Sequence, residues 1–110
     1  MHKLIALYAQ PADASQFRDH LEKVHLPLVS KFPHLRAMRH GFDVANPAGP
    51  SYYAVVECEF ETEASMKAAL ASPQGEAAAA DVPNYASAGV TILTFAVAPQ
   101  LDCEIFPGVQ

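Results

Sequence analysis

Apolar residues run unbroken from Leu4 to Ala9 behind Lys3 and stop at Gln10-Pro11, which predicts a strand over Lys3–Ala9 buried on both faces. Asp13, with Gln16 three residues on in the capping-box position, signals a helix start. Phe17, Leu21, Val24 and Leu28 follow at helical spacing and predict the buried stripe, with Arg18, Glu22 and Lys23 elsewhere on the wheel. Pro27 lacks the amide hydrogen that would reach the carbonyl of Lys23, so the helix is expected to kink or restart near His25.

Leu35–Val44 has strand character, and Asn46-Pro47-Ala48-Gly49-Pro50-Ser51 is a turn cluster. Tyr52–Glu61 alternates most clearly: Ala54, Val56, Cys58 and Phe60 point one way, and Tyr53, Val55, Glu57, Glu59 and Glu61 the other. Thr62 can cap a helix carrying Met66, Ala69 and Leu70. Ser72-Pro73 repeats the start signal ahead of the alanine-rich Glu76–Ala80, whose helix should end near Asp81-Val82-Pro83. Val90–Ala98 reads as a final strand, so residues 1–98 form one domain and residues 99–110 a C-terminal tail.

The order β, α, β, β, α, β is the split-βαβ pattern of a ferredoxin-like α+β fold with a four-stranded antiparallel sheet. Helices can cover only one face of that sheet. Yet Ile5 and Leu7 oppose Leu4, Ala6 and Tyr8, while Leu93, Phe95 and Val97 oppose Val90, Ile92 and Ala96. A second copy packed face to face would cover the excess, which predicts a homodimer, a dimeric α/β barrel.

Composition narrows the function classes. The chain has 110 residues, 51% hydrophobic and 17% charged, too apolar and too lightly charged for disorder. No apolar run is long enough to cross a bilayer, and the N-terminus reads as a strand, not a signal peptide. Seven basic residues against twelve acidic give a formal charge of −5, which argues against nucleic acid or anionic membrane as partner. Cys58 and Cys103 have no ligand-like spacing and read as reduced thiols of a cytoplasmic protein.

No phosphate loop, GxSxG, HExxH or paired-cysteine motif occurs, so any chemistry must come from dispersed residues. His20 and His25 project about 140° apart on a regular helix, which disfavours a shared metal site. His25, beside the expected kink, is the candidate acid/base group; the alternative is that it seals a carbonyl freed by Pro27. Glu57, mid-strand on the face expected to meet the partner, is either a perturbed acid/base carboxylate or the ion-pair partner of Arg36 or Arg39. Tyr8, Tyr53 and Tyr85 offer apolar bodies with hydroxyl tips for a ligand, or serve packing alone. Met38 and Met66 read as core filler and Ala77–Ala80 as a close-packing helix face. Nothing in the sequence demands a metal or another cofactor.

The chain resembles the EthD-like family, small dimeric α/β-barrel proteins named for a component of bacterial ethyl tert-butyl ether degradation. The resemblance spans roughly Lys3 to Val97. It rests on Lys3-Leu4-Ile5-Ala6-Leu7-Tyr8, His25-Leu26-Pro27-Leu28-Val29, Phe32-Pro33-His34-Leu35-Arg36, Val55-Val56-Glu57-Cys58-Glu59-Phe60 and Ala69-Leu70-Ala71-Ser72-Pro73-Gln74-Gly75. It implies the ferredoxin-like fold and the dimer, and marks His25 and Glu57 as matching the family's characteristic residues. It implies no single reaction, because related barrels include cofactor-free monooxygenases, decarboxylases, isomerases and haem-binding enzymes. The expectation is a catabolic protein that binds or transforms a small apolar molecule, ether-type or aromatic, between sheet and helices. The alternatives are an accessory or ligand-binding role without catalysis and, more weakly, haem binding.

Overall fold

Strand β1 (His2–Tyr8) lies in the middle of a four-stranded sheet, paired with β3 (Tyr52–Phe60) on one side and β4 (Val90–Ala96) on the other. Strand β2 (Ala37–Val44) pairs with the far side of β3, giving the order β2-β3-β1-β4 with every pair antiparallel. The computed structural model describes residues 1–103. Of the expected C-terminal tail, residues 99–103 have no regular structure, and residues 104–110 lie outside the described residues. The element order is that of the ferredoxin-like fold.

The cap signals act where the sequence puts them. Asp13 Oδ1 accepts the Gln16 amide at 3.0 Å and starts α1 (Ala14–His20). Thr62 and Ser65 form a reciprocal box at the start of α3 (Glu63–Ala71). Ser72 ends α3 in an extended conformation and caps α4 (Pro73–Asp81), its hydroxyl accepting the Gly75 amide at 3.1 Å. A 3₁₀ turn, Val82–Asn84, follows. Alternation along β3 buries Ala54, Val56, Cys58 and Phe60 under the helices. Ala6 and Tyr8 of β1 and Phe17, Leu21, Leu26, Val29, Met66, Ala69, Ala78, Tyr85 and Ala86 complete the core.

One departure from expectation shapes the site. Between α1 and α2 (Leu26–Val29) the chain makes a π-helical turn, Leu21–His25, in which the Leu26 amide bonds the Leu21 carbonyl five residues back. The wider turn moves the buried stripe along by one residue. Val24, expected inside, is 42% exposed, while His25, Leu26 and Val29 turn inward. Pro27 accounts for part of this, since it removes the amide that a regular helix would need at that point.

Candidate active site

The π turn also overturns the expectation that His20 and His25 face apart. The π turn that follows His20 takes up one extra residue before His25, which closes the angle a regular helix would leave between them, and both rings reach the same carboxylate. Asp81, at the C-terminal end of α4, receives them. His25 Nδ1 lies 3.0 Å from Oδ2, and His20 Nε2 lies 2.9 Å from Oδ1 and 3.0 Å from Oδ2. Asn84 Nδ2 donates to Oδ1 at 3.1 Å. Asp81 is buried, and so is His25.

An ionised carboxylate only accepts hydrogen bonds, so this geometry fixes both tautomers. His25 carries its proton on Nδ1 and His20 carries one on Nε2. With Nδ1 held by Asp81, which lies outside the cavity wall described below, Nε2 is the His25 nitrogen left for the cavity. Burial pushes the Asp81 carboxyl up, but the hydrogen bonds from Asn84, His20 and His25 outweigh it and hold the group below its ordinary value. Burial dominates at His25 and pulls its pKa below 6.5 against the support of Asp81, so the ring is neutral at pH 7. A neutral imidazole with an oriented lone pair is a proton acceptor.

Tyr85 holds this cluster from beneath. Its ring stacks on His20 at 5.1 Å between centroids and tilts against His25 at 4.9 Å. The Tyr85 and Tyr8 hydroxyls are 2.7 Å apart, and burial pushes the pKa of each upward, so both stay protonated.

A cavity of about 400 Å³ opens between the helix-side face of the sheet and helices α2 and α4. Leu4, Ala6, Val56, Cys58 and Ile92 line it from the sheet, and Val29, Phe32, Leu70 and Val82 from the other side. The small residues Gly75, Ala78 and Ala79 leave the space free, where a close-packed helix face was expected of this alanine-rich segment. Tyr8 and His25 are the polar side chains in the wall, along with the Cys58 thiol, which burial pushes up to about 11 and keeps protonated. Among the described residues, no group of three or more His, Cys, Asp or Glu side chains is arranged to hold a metal ion.

The other expected site residues lie elsewhere. Tyr53 packs against Phe17 and Phe42, with its hydroxyl 3.4 Å from the Ala14 carbonyl, outside the cavity. Tyr85 sits behind His25 rather than in the wall. Glu57 is on the opposite face of the sheet because it alternates with Val56 and Cys58. There it binds Lys3 Nζ at 2.9 Å and Arg39 Nη1 at 3.4 Å. Arg36, the other expected partner, pairs with Glu61 instead. Asp81, His20 and Asn84 are the site residues that sequence reasoning missed.

Fold and site together define a ferredoxin-like α+β protein with a His–Asp pair at the wall of an apolar cavity. The sequence pattern of the EthD domain matches residues 9–89, and the chain belongs to the EthD family. It is 40% identical over 94 residues, 84% of this chain and 91% of the other, to an 11.0 kDa protein of the thcB–thcC intergenic region of Rhodococcus erythropolis. Among solved structures it is similar to an EthD family protein from Bacillus halodurans C-125, with TM-score 0.81 and 33% identity over 89% of this chain and 99% of that one. It shares its fold with a dimeric ferredoxin-like protein from Thermobifida fusca, with TM-score 0.68 and 22% identity over 87% and 90% of the two chains.

Proposed function

We propose that this EthD-family chain binds a small, largely apolar molecule in the cavity and that His25 exchanges a proton with it. The observation that carries this reading is the buried His25–Asp81 bond, 3.0 Å long, which holds His25 in the wall of a cavity lined mostly by apolar groups. Asp81 orients the ring and stabilises the imidazolium that forms when Nε2 takes a proton. Apolar walls strengthen that electrostatic support by excluding water. Tyr8 and Tyr85 hold the site in shape, and Glu57, on the far face, has no part in the proton transfer.

The working unit in this reading is a homodimer joined through the uncovered sheet face. Leu93 and Phe95 on that face are 49% and 47% exposed, and the Thermobifida fusca protein of the same fold is described as dimeric. His25→Ala tests the function by calorimetry and by turnover on a panel of apolar aromatics. Turnover is expected to fall at least a hundred-fold with folding retained. Unchanged turnover and affinity would remove His25 from the mechanism; unchanged affinity in a protein that turns nothing over would favour the accessory, binding-only role.

A further inference from the structure

The charge pattern around the cavity says more about what enters it. Among the described residues of its wall there is no Lys, Arg, Asp or Glu, so a carboxylate or phosphate inside would lose its hydration without a counter-charge from them. The Tyr8 hydroxyl shares a hydrogen bond with Tyr85 in which either oxygen can donate, and the Cys58 thiol is a weak hydrogen-bonding group. His25 supplies the polar feature whose direction the geometry fixes: because Nδ1 must donate to Asp81, it offers the cavity a lone pair on Nε2. A lone pair discriminates between ligands of one shape, since it rewards an O–H and offers nothing to an ether oxygen.

We propose that the cavity selects a neutral ligand bearing a weakly acidic O–H, a phenol or an enol, over the matching ether and over the matching carboxylate. The inference rests on the reading that the cavity beside His25 is the ligand site. The step it supports is a single proton transfer. The ligand O–H bond breaks with its electron pair left on oxygen, the Nε2–H bond forms, and the imidazolium is held through Nδ1–H by Asp81.

The test compares 2-naphthol, 2-methoxynaphthalene and 2-naphthoate, which share a bicyclic apolar body, by isothermal titration calorimetry on the full chain. The naphthol is expected to bind at least ten-fold tighter than the methyl ether, and the naphthoate to bind weakest. Asp81→Asn releases the tautomer constraint and is expected to shrink the naphthol-to-ether ratio several-fold; His25→Gln, which can donate as well as accept, should bring it near one. Equal or tighter binding of the ether, or tightest binding of the naphthoate, overturns the selectivity while leaving the cavity as a ligand site. Failure of all three to bind overturns the ligand-site reading as well.

Discussion

His25 Nδ1 lies 3.0 Å from Asp81 Oδ2 across 56 residues of sequence, and that one bond joins the π turn to the far end of the alanine-rich helix. Asp81 is both the anchor and the tautomer selector. Replacing it with Asn keeps the size and removes the charge. We expect Asp81→Asn to lower any His25-dependent turnover by about a hundred-fold or more, with a smaller effect on affinity for apolar ligands. Steady-state kinetics resolves the two, and an equal loss in both would point to a collapsed cavity instead.

Stability should depend on pH in a direction set by the same pair. His25 has an ordinary value of 6.5 and is held lower by burial, so the unfolded chain takes up a proton before the folded one does. Stability is therefore complete above 6.5 and declines as pH falls from there toward the folded value. Asp81 adds a second decline. Its ordinary value is 3.8, and burial, which would raise it, is outweighed by the bonds from Asn84, His20 and His25, so stability is lost again below that pH. Thermal melts between about pH 8 and pH 3 should show both stages, and His25→Gln should remove the upper one. A melting temperature that rises on acidification through pH 6 would contradict the assignment.

Gly75 is fixed by contact rather than by backbone angle. A Cβ there would run into the carbonyl oxygens of Ala69 and Leu70, where α3 ends and α4 begins one residue later at Pro73. All the near atoms are backbone, which leaves no flexible side chain to give way. We expect Gly75→Ala to cost about 1–3 kcal/mol and to move α4, and with it Asp81, away from His25. Chemical denaturation reads the first effect, and ligand binding the second. A neutral outcome in both would show that the α3–α4 junction relaxes freely.

The sheet and the caps could be read from the chain because they depend on local spacing. Ala54, Val56, Cys58 and Phe60 share a face by period two, and Asp13, Thr62 and Ser72 each cap the helix that follows them. The site was only half legible. His25 stood out through Pro27, yet a regular helical projection set His20 about 140° away and made Val24 the buried residue. One inserted residue in the π turn reverses both, and periodicity contains no term for it. Asp81 looked like the end of an alanine helix. Its role depends on a contact between helical segments 56 residues apart in sequence, which local patterns do not encode. Glu57 illustrates the converse: its strand alternation with Cys58 already put it on the sheet face away from the helices, and its partners Lys3 and Arg39 are on that face too.

That outer face carries the last prediction. Along one row, Arg39, Glu57, Ile5 and Leu93 lie opposite one another on successive strands, and the next row sets Lys3 against Glu59 and Phe95. An ion-paired patch over β2, β3 and Lys3 of β1 thus adjoins an apolar one over Ile5 and Leu7 of β1 and Leu93 and Phe95 of β4. In a dimer joined through this face, the apolar patch would supply the association energy and the charges would orient the two copies. Burying a side chain such as Phe95 contributes about 1.5–3 kcal/mol, and a carboxylate in its place cannot be buried without a partner. Sedimentation should therefore give twice the chain mass for the wild type and the single-chain mass for Phe95→Glu. Glu57→Gln, by contrast, should stay dimeric at high salt and leave cavity binding untouched, because its contacts lie across the sheet from His25. A Phe95→Glu protein that still sediments as a dimer would put the interface on another surface.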